Sequence, residues 1–488
     1  MNRPFLFVFF FLVCSTLHAQ PKQEVRAAWI TTAYGLDWPR TRATSTLAMR
    51  RQQAELLDML DRLCEANFNT VLFQTCSRGD LSYPSSTEPF TPSFTGKTNT
   101  DPGYDPLAFV IEECHKRGME CHAWIVSIPL GNKRHVASLG QRSVTKKQPA
   151  ICVPYKNEYF LNPGHPDTKK YLMKITEEII TRYDVDGVHF DYHRYPERAP
   201  RFPDNKEFRA YGKGRSLEQW RRDNLTEILR HIYHGVKAIK PWVKVSTCPV
   251  GKFQDVTRYS SRGWNAYHTV HQDAQGWLAE GIQDQLYPML YFREDQFYPF
   301  LLDWQEQSNN RHIVPGMGIY FLDPSEGNWE LQEIERQIRF TRRAGVAGQG
   351  HYRVEFLMNN IQGLYDRLTD RYYTTPALQP PMPWLDDVAP SAPSGLTVQR
   401  KENGYYQLSW QPATDNDPHN APTYVIYAAD QFPVDTSDPA HILAQRVYGT
   451  TYVYIPALPW KEYSCFAVTA MDRYGNEGEP VQVRWDAP

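Results

Sequence analysis

From residue 25 to about 370 the chain alternates short apolar runs with longer segments in which apolar residues return every three or four positions. The short runs cover 25–32, 68–75, 119–126, 185–191, 243–249, 282–291, 313–320 and 345–352. Between them lie stripes such as Leu56, Leu60 and Leu63; Leu172, Ile175 and Ile179; and Leu225, Ile228, Ile232, Val236 and Ile239. Short apolar runs read as buried strands, and the three-to-four spacing reads as helix because it places apolar side chains on one face of a 3.6-residue turn. Strands separated by helices pair in parallel. Eight such units predict an α/β fold, a (β/α)8 TIM barrel over residues 24–372. An open doubly wound sheet is the alternative, disfavoured because no Gly-rich phosphate loop follows the first run.

Insertions at 77–104 and 127–165, which read as irregular, and at 195–217 follow the second, third and fourth strands. They extend from strand C-terminal ends, where barrels of this kind build their active sites. Residues 373–392 are a Pro-rich linker, expected to act as a semi-rigid spacer between two independent cores. Beyond it the periodicity changes to short alternating runs at 395–399, 405–410, 423–428, 451–455, 462–471 and 481–483, separated by Asn, Asp, Pro and Gly. This predicts an all-β, immunoglobulin-like sandwich over 393–488. Pro393-Ser394-Gly395-Leu396, Leu408-Ser409-Trp410 and Tyr463 resemble a fibronectin type III module, with Trp410 as its core Trp and Tyr463 as its corner Tyr.

Composition narrows the function. A net charge of −2 with no Lys/Arg run argues against nucleic acid, which is bound through clustered positive charge. Aromatic residues reach 14%, which suits stacking on sugar rings as well as large cores. Residues 1–19 read as a signal peptide: Arg3, an apolar run at 5–13, and Ala19 before the cut at Gln20. The mature protein is then secreted, or periplasmic and part of the cell envelope. Lipid anchoring at Cys14 is disfavoured by Val13 before it. Seven cysteines remain after cleavage, scattered and without a C-x-x-C pair; Cys76 and Cys121 are possible neighbours. No metal or other cofactor is expected.

The fourth run carries the chemistry. It reads Gly187-Val188-His189-Phe190-Asp191-Tyr192-His193-Arg194, with the polar group where the strand ends. Glycosidic cleavage needs a proton donor and a second carboxylate as base or nucleophile. Asp191 is the first catalytic candidate, kept ionised by Arg194 or else paired with it structurally. Asp184 and Asp186 precede the strand and read as turn and helix-stop residues. For the second carboxylate Glu294 ranks first, then Asp80 and Glu355, with Asp37 also near a strand end. Substrate-binding candidates at or near strand ends are Gln74, Arg78, His122, Trp124, His193, Arg194, Tyr287, Tyr291 and Glu355, followed by His351. His189 reads as structural.

These segments form an ordered set. Glu24-Val25-Arg26-Ala27-Ala28-Trp29 precedes Asp37-Trp38-Pro39. Asn69-Thr70-Val71-Leu72-Phe73-Gln74 precedes Arg78, Asp80 and Tyr83-Pro84-Ser85. Then come Tyr104-Asp105-Pro106-Leu107, His122-Ala123-Trp124, Leu161-Asn162-Pro163-Gly164, Asp184-Val185-Asp186-Gly187-Val188-His189-Phe190-Asp191-Tyr192 and Arg194-Tyr195-Pro196. Together they resemble the bacterial glycosyl-hydrolase-like family 10 of exported barrel proteins. The resemblance implies a glycoside hydrolase acting on O-glycosyl bonds of a bacterial cell-envelope or environmental polysaccharide. Many relatives carry Asn-Pro-Tyr-Arg after the third strand, where this chain has Ser127-Ile128-Pro129-Leu130. The fifth run ends Ser246-Thr247-Cys248-Pro249 without a Glu, which favours the alternative of a non-catalytic glycan-binding barrel.

The lack of metal-ligand spacing generates one expectation. Prolonged chelator treatment leaves glycan hydrolysis unchanged, and inactivation that a divalent ion reverses would contradict it.

Overall fold

The computed structural model describes residues 20–197, 201–257, 263–402, 404–417, 421–456 and 462–485; residues 1–19, expected to be a signal peptide, lie outside them. The barrel strands are Val25–Ile30, Thr70–Cys76, Glu120–Val126, Gly187–Asp191, Lys244–Thr247, Gln285–Leu286, a seventh in two pieces (His312–Ile313 and Gly316–Met317), and Gly348–His351. All pair in parallel. The sheet has nine strands, and its two edges are the two pieces of segment 312–317. On one side Val314 N–H donates to Leu286 O (2.8 Å) and Gly316 N–H to Pro288 O (2.9 Å). On the other, Ala347 N–H donates to Ile313 O (2.9 Å) and Gly350 N–H to Pro315 O (3.0 Å). The sheet therefore curls into a closed ring. The seventh strand, expected as one run at 313–320, breaks at Pro315, which has no N–H to donate, and Ile319–Leu322 is a 3-10 turn.

Side chains alternate across the ring. Val25, Ala27, Trp29, Leu72, Trp124, Val126 and Cys248 face inward; Ala28, Ile30, Val71, Phe73, Val188 and Phe190 face the helices. Glycine makes room where the interior is tight. A Cβ at Gly350 would stand 2.6 Å from the Trp29 ring, and one at Gly187 2.7 Å from the His122 ring. The outer layer includes Leu217–Ile239, capped by the Ser216 hydroxyl accepting Gln219 N–H. Its stripe buries Leu225, Ile228, Ile232 and Val236, whereas Ile239 is exposed at the last turn. Insertion 127–165, expected to be irregular, contains a small antiparallel sheet of Pro129–Asn132, Glu158–Leu161 and Cys152–Tyr155.

The C-terminal region is a two-sheet β-sandwich. Ser394–Arg400, Tyr406–Gln411 and Thr451–Tyr454 form one sheet; Ile442–Val447, Thr423–Ala429, Cys465–Met471 and Val481–Arg484 form the other. Leu396, Leu408, Trp410, Ile426, Phe466 and Val468 fill the space between them. The Pro-rich segment is packed instead of spacing the two cores apart. Leu378 exchanges backbone bonds with Lys22 and Glu24 (2.8 and 3.0 Å), and Met382 N–H donates to Tyr474 O (2.8 Å). Trp384 donates its indole N–H to Asp284 (3.0 Å). Prolines suit this position because a segment with few N–H groups leaves few donors to orphan on burial.

The sandwich docks on the N-terminal ends of the strands. Arg446 pairs with Asp186 (2.8 Å) and lies 3.9 Å from Glu120, which Lys244 also holds (2.7 Å). Arg473 pairs with Asp184 (2.7 Å). Asp184 and Asp186, expected as turn residues, thus also carry the docking, and Asp186 accepts Cys121 N–H (2.8 Å) and contacts His115 (2.8 Å). Burial alone would raise the Asp186 pKa, yet Arg446 and then His115 hold it well below the usual carboxylate range. Burial is likewise outweighed at Glu120, chiefly by Lys244, which brings that group down to about 2. Cys121 faces Cys114, not Cys76, which is in register with Ile125 at the other end of the strand pair.

Removing one member of a buried ion pair leaves the other uncompensated. Arg446→Ala is therefore expected to lower stability by on the order of 3 kcal/mol at neutral pH. Because the Asp186 pKa is depressed in the folded protein, its contribution is full above the ordinary carboxylate pKa and is lost as pH falls through the folded value. The gap between variant and wild type in denaturant midpoint should narrow in acid; a gap that widens would contradict this arrangement.

Candidate functional site

Parity places Asp191. Gly187, His189 and Asp191 share the inward face of the fourth strand, and Asp191 pairs in register with Val126 at the last rung. Beneath it, His189, Trp29 and Tyr287 meet edge-on with centroids 5.1–5.9 Å apart and plug the ring. Above it opens a cleft of about 590 Å³ whose wall includes Gln74, Arg78, Trp124, Asp191, Tyr192 and Arg194.

The Asp191 backbone is anchored by Ser127, whose N–H (2.9 Å) and hydroxyl (3.1 Å) both donate to its carbonyl. The carboxyl accepts Tyr192 N–H (2.6 Å) and is only 7% exposed. Burial pushes its pKa above the ordinary aspartate value; the Cys248 thiol, the Arg194 charge, Tyr192 N–H and the Trp124 indole N–H oppose that in decreasing order. The Trp124 N–H favours the charged form without meeting any protein acceptor in hydrogen-bond geometry. Arg194 was expected to keep Asp191 ionised, or to pair with it. Its charge does act in that direction, but burial prevails. The two form no ion pair: the guanidinium stacks over the Tyr192 ring (4.7 Å) and the Trp264 ring (5.5 Å). Tyr192 adopts a left-handed φ of +50°, an uncommon conformation for a side chain of this size. Tyr291 and Tyr352 stack at 5.5 Å near the carboxyl, and burial first, then neighbours including Asp191, keeps both phenols protonated.

The expected site residues separate into two groups. Gln74, Arg78, Trp124, Asp191 and Arg194 line the cleft, with Tyr291 beside it. Arg78 lies 3.7 Å from Glu158. The others point elsewhere. His122 bonds Glu120 (2.9 Å) at the lower end of the ring. Tyr287 belongs to the plug and donates to Gln285 (3.0 Å). His193 lies behind the sheet, where one ring nitrogen meets Leu225 O (2.8 Å) and the ring contacts Trp277; burial lowers its pKa to about 4. The left-handed turn at Tyr192 breaks the alternation, so parity no longer applies to His193. His351 is buried against Tyr373 (2.8 Å).

The four carboxylates expected as partners are also displaced. Glu294 lines a separate surface groove with Tyr298 and Arg336. Glu355 is tied to Arg40 (2.9 Å) and Arg353 (2.5 Å). Asp37 is buried, accepting Thr31 N–H (2.7 Å) and pairing with Arg353. Asp80 accepts Arg78 N–H (3.1 Å) and faces an adjoining opening with His135. The carboxylates that do share the cleft with Asp191 are Glu158 and Glu197. Sequence reasoning missed both, together with Tyr352. Glu158 sits on a strand inside an insertion, where barrel periodicity carries no information. Glu197 directly follows Arg194-Tyr195-Pro196, which was its available signal. Among the described residues, no three His, Cys, Asp or Glu side chains converge as a metal site.

A family model described as Glycosyl hydrolase-like 10 matches residues 24–320. The chain belongs to this family. The matched span holds Asp191, Glu158 and Glu197 and ends before the eighth strand. Glycosyl hydrolase YngK of Bacillus subtilis (strain 168) is 32% identical over 484 residues, covering 95% of this chain and 93% of that protein. Glycosyl hydrolase DigH of Escherichia coli (strain K12) is 33% identical over 351 residues, covering 65% of this chain and 80% of that protein. Among solved structures, the PgaB (BpsB) glycoside hydrolase domain from Bordetella bronchiseptica aligns at 14% identity and a TM-score of 0.47, over 71% of this chain and 99% of that one.

The raised Asp191 pKa sets a stability test. Above its folded pKa the ionised, buried carboxyl costs stability, and the cost fades as pH falls and the group protonates. Asp191→Asn should therefore raise the melting temperature at pH 8, with the gain shrinking toward pH 4. A melting temperature that drops at pH 8 would mean that the charged carboxylate holds the structure together.

Proposed function

We propose that this protein is an exported glycoside hydrolase that cleaves O-glycosyl bonds in a bacterial cell-envelope or environmental polysaccharide, with Asp191 as the catalytic carboxyl group. One observation carries the reading: a buried carboxyl with a raised pKa sits at the base of an open cleft walled by Trp124, Tyr192 and Tyr352. A carboxyl in that state holds a proton to higher pH than a solvated aspartate, as donation to a leaving glycosidic oxygen demands. Glu158 or Glu197 supplies the second carboxylate, as base or nucleophile. Protonated phenols at Tyr291 and Tyr352 are donors for sugar hydroxyls. The names of the family and of its relatives support the same chemistry. The leader at 1–19 delivers the chain to where such polymers lie, and the C-terminal sandwich is a fibronectin type III-like module that seals the lower end of the barrel. Neither metal nor other cofactor enters this chemistry.

A second reading is favoured by Cys248. It directly follows the fifth strand and lies against Asp191, at a position where another carboxylate would face it. On that reading the barrel binds glycans without cleaving them.

Reducing-sugar release from purified peptidoglycan strands and plant polysaccharides separates the two. Asp191→Asn is expected to lose at least about 1,000-fold in turnover, or about 4 kcal/mol on the barrier, while retaining glycan affinity. Glu158→Gln and Glu197→Gln identify the partner by which one falls comparably. A folded Asp191→Asn protein with wild-type turnover removes Asp191 from the chemistry. Wild-type protein that binds every glycan and releases nothing establishes the binding-only alternative.

A further inference from the structure

We infer that Tyr34 is a sugar-stacking platform at the junction of two lobes of one continuous cleft, which admits a linear glycan along several of its sugar units. The inference rests on the glycan-binding reading of the Asp191 cleft and adds how far along the chain that cleft reaches. Next to the Asp191 lobe lies a second opening of about 440 Å³, bordered by Arg42, Asp80 and His135. The two share Ala33, Tyr34, Ser77 and Arg78 as a common wall. Both volumes fall in the range of ligand sites.

Tyr34 stands on that wall with 74% of its surface exposed, and its backbone is left-handed, with φ +58°. A structural requirement for that conformation is met better by Gly or Asn, which tolerate positive φ. A ring held open to solvent in a disfavoured conformation contributes nothing to the core. It offers a flat apolar face to a ligand instead.

The turn beneath the ring is fixed. The buried Gln74 side-chain oxygen accepts both Thr32 N–H (3.0 Å) and Ala33 N–H (2.8 Å), and the Thr32 hydroxyl donates to Gln74 O (2.9 Å). Asp37 holds Thr31 N–H from the other side (2.7 Å). Gln74, expected as a sugar ligand, is here the positioning residue for the platform. Rigid support of this kind lowers the ordering cost of binding.

Calorimetric titration in the Asp191→Asn background tests the proposal without depending on hydrolysis. The probes are dimers and hexamers of β-1,4-linked glucose, of β-1,4-linked N-acetylglucosamine and of peptidoglycan strands. At least one hexamer should bind more tightly than its dimer. Tyr34→Asn, which accepts the left-handed backbone and removes the ring, should weaken that hexamer at least tenfold and the dimer less than threefold, at an unchanged melting temperature. Tyr34→Phe should retain hexamer affinity. Equal losses at both lengths, no loss, or no binding of any series would overturn the platform. Absence of hydrolysis by the wild type, with the length-dependent loss intact, would remove only the catalytic reading.

Discussion

A closed ring of parallel strands leaves each side chain two directions, into the ring or out toward the helices, and the direction alternates residue by residue. Closure through segment 312–317 imposes that choice on all eight strands at once. The consequence runs the length of the fourth strand. Val188 and Phe190 seat the helices, and His189 joins the aromatic plug. Asp191, the last inward residue, has the plug below it and open space above it. A register shift of one residue would send Asp191 to the helices and Phe190 to the mouth.

The two ends of the ring are built from the same residue types for opposite purposes. At the lower end, Glu120, Asp184, Asp186 and Asp284 are matched by Lys244, Arg473, Arg446 and Lys237. Opposite charge and hydrogen bonds there more than offset burial, so Glu120 and Asp186 stay ionised. At the upper end Asp191 is equally buried, but its nearest cation is drawn away onto aromatic rings. Burial then prevails and the pKa rises. The difference is one of pairing geometry, and it divides the barrel into a sealed end and an open end.

The sandwich belongs to the sealed end. Leu378 joins a cluster with Val425, Tyr427 and Ala467, so the Pro-rich segment is part of a shared core. This leaves the upper face to the loops. The sheet formed by 127–165 brings Glu158 to the cleft, and the turn after the first strand brings Tyr34.

Taken alone, the amino-acid sequence determined the eight strands, the helical stripes, the switch to an all-β region and the position of Asp191 at a strand end. Each of these is a local property: a period of two or 3.6, or a place in a run, that neighbours along the chain specify. It also showed Gln74 and Trp124 near the same rim by the same logic, and Arg78 and Arg194 just beyond it. Only the tertiary structure decided which carboxylates join Asp191. Glu294, Asp80 and Glu355 sit beyond strand ends, at positions as suitable in sequence as those of Glu158 and Glu197. Their direction depends on insertions whose own fold sets it and on ion pairs across the chain, such as Arg40 with Glu355. The same holds for His193, turned behind the sheet by one left-handed residue, and for the Pro-rich segment, whose burial depends on surfaces hundreds of residues away. Side-chain direction on strands is periodic and can be read along the chain; direction in loops is settled by contacts, and contacts exist only once the chain has folded.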